Sequence, residues 1–154
     1  MTIVVDLQDR SGGAALPNIE AFERWVAASL RDAPAALEQT ICVVDEVEGR
    51  ELNRQFRGKD NPTNVLAFPA EDEFLDYACL GDLVLCAPVV LREAREQGKP
   101  EEAHWAHLVV HGMLHLQGFD HIDSSAAVEM EAAEIEILDT LGYTNPYNGW
   151  LNDS

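Results

Sequence analysis

All five histidines of the chain, His104, His107, His111, His115 and His121, fall within eighteen positions. On a helix turning about 100° per residue, the first four project at about 0°, 300°, 340° and 20°, a single stripe. Neutral imidazole is a common metal ligand, and such a stripe suits an ion better than one isolated histidine does. His111 and His115, four residues apart, are neighbours whose rings can converge. A third ring from the same straight helix cannot join them. His107 and His115 would lie about 12 Å apart along the axis, whereas zinc–nitrogen bonds are about 2.0–2.1 Å. The chain must turn before it offers another ligand. Gly118 can end the helix in a left-handed conformation at little cost, and His121 follows that turn and can swing back. His104 and His107 are left to pack, or to orient a ligating ring from behind.

Histidines at i, i+4 and i+10 with glycine at i+7 reproduce the metzincin zinc spacing. Three nitrogens leave one coordination position for water, which marks catalytic zinc sites rather than closed structural ones. The departure is Gly112. A metalloprotease helix carries glutamate directly after its first ligand, as general base toward the zinc water. Gly112 offers no proton acceptor, so the sequence argues against peptide hydrolysis and identifies no general base. Imidazole sites of this kind also suit nickel, iron and copper.

Charge bears on the substrate. Ten Lys and Arg against 28 Asp and Glu give a formal net charge of −18, which opposes sequence-independent coating of nucleic acid, since phosphate binding is largely electrostatic. The distribution is uneven: no Lys or Arg occurs from Glu101 onward, and Arg50, Arg54, Arg57 and Lys59 cluster in one short stretch. That stretch is the expected handle for phosphate. Tight sequence-independent binding of nucleic acid is therefore not expected without a partner to deliver the strand.

These groups need a scaffold. A chain of 154 residues is the size of one domain, and no repeat or low-complexity linker divides it. Three cysteines, Cys42, Cys79 and Cys86, are too few and wrongly spaced for a disulfide framework or a paired zinc site. They are expected to be reduced thiols of a cytoplasmic protein. The longest apolar run, Leu83 to Leu91, is nine residues, well short of the roughly 20 that span a membrane, and the N-terminus lacks the features of a leader.

Apolar and β-branched runs predict strands at 3–7, 40–44, 65–68 and 80–86. Helical periodicity predicts helices at about 19–31, 46–56, 89–97, 100–117 and 125–141. In the first helix Phe22, Trp25, Val26 and Leu30 share a face. In the second, Val47, Leu52 and Phe56 are expected to turn inward. The order predicts an α+β domain, a small mixed sheet of about four strands packed with about five helices.

The histidine segment, His111-Gly112-Met113-Leu114-His115-Leu116-Gln117-Gly118-Phe119-Asp120-His121, resembles the signature of the YbeY family of metal-dependent endoribonucleases. The stretch Arg57-Gly58-Lys59-Asp60-Asn61-Pro62-Thr63-Asn64-Val65-Leu66-Ala67-Phe68-Pro69 is similar to a second segment of that family. It departs at Ala67, where serine is frequent, and at Asn64, where aspartate is. The Gly81-Asp82 turn, the lead-in from Glu102 to His107 and the ending Leu141-Gly142-Tyr143 also look like this family. The resemblance implies one zinc ion on His111, His115 and His121, and a catalytic or substrate-binding role for Arg57. It also implies cleavage of single-stranded RNA, 16S rRNA 3′-end maturation and ribosome quality control. Two other readings remain open: a metal hydrolase of another substrate, and a ribosome-assembly factor whose zinc is mainly structural.

Overall fold

A computed structural model describes residues 2–31, 36–70, 80–119 and 123–147. The elements follow in the order expected: β1 (Thr2–Arg10), α1 (Ile19–Ser29), β2 (Ala36–Val44), α2 (Glu46–Arg57), β3 (Val65–Pro69), β4 (Gly81–Cys86), α3 (Ala87–Gln97), α4 (Glu101–Leu116) and α5 (Ser124–Thr140). β1 and β2 run several residues longer than the apolar patterns indicate, because polar residues such as Glu38 and Gln39 still complete the parallel ladder between them. The strands form one mixed sheet in the order β1-β2-β4-β3. β1, β2 and β4 are parallel, and β3 closes the sheet as an antiparallel edge on β4.

Alternation along the strands sorts their side chains between two faces. Leu37, Ile41 and Val43 of β2, Leu83 and Leu85 of β4, and Val65 of β3 enter the main core beneath α1, α4 and α5. Cys42, Val44, Leu66, Val84 and Cys86 face the other way and form a smaller cluster capped in part by Leu52 of α2. The main core is held by aromatic packing: Phe22 stands edge-on to Trp25 at 5.3 Å and to Trp105 at 6.2 Å between ring centres. All three are at most 1% exposed. Cys42 and Cys86 are buried free thiols, and Cys79 lies outside the described residues. Among the described residues no helix is long and apolar enough to cross a membrane.

Three helix starts are capped by side chains. Asn18, Asp45 and Asp123 accept from the backbone N–H groups of Ala21, Glu48 and Ala126, satisfying donors that a helix cannot pair itself.

The orientation of α2 matches expectation at Leu52, which packs on the second cluster, and differs at Val47 and Phe56. Val47 is 78% and Phe56 is 58% exposed, while Gly49 and Asn53 face inward. The cause is close packing on the sheet's second face. A Cβ on Gly49 would meet Cys86 Sγ at 3.0 Å, so any larger residue would crowd Cys86 as the helix approaches there. Asn53 then donates to the Asn61 carbonyl at 2.7 Å, tying the helix to the loop behind it. This rotation turns Phe56 and Arg57 toward the edge strand β3 rather than into the core.

Candidate active site

α4 is apolar on nearly every side, so it is buried on nearly every side. His107, His111 and His115 run along its half-buried seam, while His104 is buried. The rings of His111 and His115 approach to 4.7 Å between centres, the convergence that an i, i+4 pair allows. Both line a cleft of about 640 Å³ whose opposite walls are Phe56 and Arg57 of α2 and the strand β3 with its lead-in, Thr63 to Pro69. Arg57, more than fifty residues away in sequence, thus shares a cavity with the histidine pair.

The helix ends as the glycine predicts. Phe119 N–H donates to the Leu114 carbonyl and Gly118 N–H to that of His115, both at 3.0 Å. Gly118 sits at φ 99°, a left-handed turn that only glycine takes without strain. Gln117 anchors the turn: its Nε2 donates to the carbonyls of Ser29 and Met113, and its Oε1 accepts from Arg31 N–H. Asp120 and His121 lie outside the described residues. Two convergent imidazoles before a chain reversal suit a nitrogen-preferring ion such as zinc. Among the described residues no group of three His, Cys, Asp or Glu side chains converges on one point.

Gly112 is explained by packing. A Cβ there would stand 2.6 Å from Leu83 Cδ2 and 3.3 Å from Val65 Cγ2, and Leu83 is fully buried. A side chain here would press on the end of Leu83, so a carboxylate could project from this position as a general base only if Leu83 gave way. Gly112→Ala should cost about 0–2 kcal/mol, overpacking offset by helix propensity. Gly112→Glu should cost about 3 kcal/mol or more, since the carboxylate would be buried unpaired. Urea unfolding of the two variants checks both figures.

Of the arginines on α2, two are occupied. Arg50 grips Asp60 with two bonds of 2.9 Å, and Arg54 pairs with Glu51. Among the described residues Arg57 and Lys59 have no such carboxylate, so the expected phosphate handle narrows to these two. Asn64 is also accounted for. Its Nδ2 donates to Glu93 at 3.0 Å and its Oδ1 accepts from Val65 N–H at 2.7 Å, securing the start of β3. Burial works against the Glu93 carboxylate, yet donation from His104 and Asn64 keeps its pKa below the ordinary value. An aspartate at position 64 would set two carboxylates against each other.

One residue escapes the sequence reading. Glu134 of α5 is fully buried. Its Oε1 accepts from His107 Nε2 at 2.8 Å and His111 Nδ1 at 3.1 Å, and its Oε2 from the Tyr147 hydroxyl at 2.8 Å. Burial alone would raise its pKa, but the bonds from His107 and His111 hold it down at about 2. Burial pushes the pKa of His107 down, so His107 serves as a neutral N–H donor. A signal existed: Glu134 falls within the apolar stripe of Met130, Ala133, Ile137 and Leu138, where an acid needs a partner.

Comparison with known proteins gives a consistent picture. Residues 13–142 match the family model described as Endoribonuclease YbeY. The chain is 59% identical over 152 residues to the endoribonuclease YbeY of Pseudomonas entomophila, covering 97% of this chain and 96% of that one. It is 57% identical to that of Stutzerimonas stutzeri, covering 94% and 91% of the two chains. A solution structure of a Thermotoga maritima protein superposes with a TM-score of 0.51 at 27% identity, covering 93% of this chain and 99% of the other.

Proposed function

The chain belongs to the YbeY endoribonuclease family, and from that premise we propose a zinc-dependent nuclease that cleaves single-stranded RNA. In this reading it matures the 3′ end of 16S rRNA and serves ribosome quality control in the cytoplasm. The observation that carries it is the shared cleft, in which an arginine with no carboxylate partner among the described residues faces two convergent histidines.

His111, His115 and His121 would hold one zinc ion. When bound, zinc supplies Lewis acidity, which acidifies water toward neutral pH and polarises a phosphoryl oxygen. The chain's own groups do the rest. Arg57 presents a planar fork of N–H donors to the non-bridging phosphoryl oxygens and offsets the charge that grows on them in the transition state. Phe56, exposed at the rim and edge-on to Phe68 at 5.2 Å, offers an aromatic face on which an unstacked base can rest. Such a surface favours single strands over duplexes, whose bases are already stacked. With −18 formal charge on the chain, the strand is brought by the ribosome or a ribosome-associated protein.

The test is turnover by zinc-loaded enzyme on single-stranded RNA, duplex RNA, single-stranded DNA and peptides, with the zinc-stripped chain as blank. Cleavage confined to single-stranded RNA is expected, with product ends free of 2′,3′-cyclic phosphate as water attack requires. Cyclic ends would replace water attack with attack by the substrate's own 2′-hydroxyl. Normal 16S rRNA 3′ ends in cells lacking the protein would overturn the ribosomal role.

A further inference from the structure

His111 is held from behind, and the group that holds it is pinned in turn. Glu134 Oε1 lies within hydrogen-bond distance of both His107 Nε2 and His111 Nδ1, and Oε2 takes the Tyr147 hydroxyl. An ionised carboxylate only accepts, so each of these partners must donate. His107 Nδ1 is buried and, among the described residues, has no hydrogen-bond partner, which leaves the single ring proton of His107 on Nε2. By the same rule the proton of His111 sits on Nδ1, so its lone pair is on Nε2, the nitrogen on the other side of the ring. The ring lies between two cavities, the cleft it shares with Arg57 and a smaller one with Glu134 and Tyr147 behind it.

From this juxtaposition we infer that Glu134 is a positioning residue, which fixes His111 in the Nδ1–H tautomer and thereby sets the affinity of the site for its metal. His107 and Tyr147 hold the carboxylate where it can do so. The inference rests on the reading of His111 as a metal ligand. Glu134 touches neither substrate nor ion. A carboxylate behind a ligating imidazole raises its basicity and fixes its orientation, and losing such a partner typically weakens metal binding about 10–100-fold. His107, second in the stripe but too far along the helix to share the ion, thus gains a defined task.

Zinc affinity, measured on the full chain by competition with a chromophoric chelator, tests the assignment. Glu134→Gln should bind zinc about 10–100-fold more weakly than wild type. Ile137→Ala, which destabilises the same helix without touching the carboxylate, should bind zinc as wild type does. Equal losses in the two variants would make the effect merely structural and overturn the proposal. So would a Glu134→Gln chain binding within twofold of wild type. Nitrogen NMR of the metal-free wild type supplies a readout that needs no variant to fold: His111 should appear as the Nδ1–H tautomer, and the Nε2–H form would refute the inference. His111→Ala separates the levels. If it still binds zinc as wild type does, the metal-site reading fails and the positioning role falls with it. If it loses zinc while Glu134→Gln does not, only the positioning role fails.

Discussion

Replacing Arg57 with alanine should slow RNA cleavage about 10²–10³-fold, the usual effect of removing one donor aimed at developing negative charge. The fold and the metal content should not change. Arg57 is exposed in the last turn of α2, and among the described residues it makes no ion pair, so its loss should shift stability by no more than about 0.5 kcal/mol. Arg54→Ala is the natural control, because Arg54 is engaged by Glu51 on its own helix and does not line the cleft. Arg57→Lys should recover only part of the rate, since an ammonium supplies a point charge without the planar fork. Single-turnover rates with zinc content measured alongside decide the matter. If Arg57→Ala keeps zinc and fold and rRNA processing in cells stays normal, the assembly-factor reading replaces the nuclease.

The second large effect is expected at His115. His115→Ala should reduce bound zinc from about one ion per chain to almost none and bring cleavage down to the metal-free background, because two nitrogens cannot hold a site that needs three. Elemental analysis and RNA turnover on the same preparation check this. The side chain is partly exposed at the cleft, so the variant should remain folded. His104→Ala offers the contrast: His104 is 3% exposed and bonded to Glu93. Its loss should cost stability, about 1–3 kcal/mol for the carboxylate left underpaired, with zinc retained. A His115 variant that keeps a full complement of zinc would remove His115 from the ligand set.

Much of this was legible in one dimension. The order of the described elements follows from apolar periodicity, and the end of α4 from Gly118, whose chemistry is local. The i, i+4 pairing of His111 and His115 is likewise local, so spacing alone brings their rings together. The face of α2 was not legible. Periodicity favoured Val47 and Phe56, but the inward face was decided by the room Gly49 leaves beside Cys86 and by the reach of Asn53 to Asn61, neither visible before the sheet is assembled. Glu134 stayed hidden for a related reason. Its partners lie 27 and 23 residues upstream, so its place in the apolar stripe of α5 signals burial without showing what it docks on.

The bare backbone at Gly112 has a consequence for how such a centre could change its chemistry. Where a metalloprotease helix would project an acid, this helix rests directly against Leu83 and Val65. Converting one activity into the other is therefore not a matter of a single replaced residue. Either the end of Leu83 would have to give way as well, or the helix would have to lift from the strands beneath it.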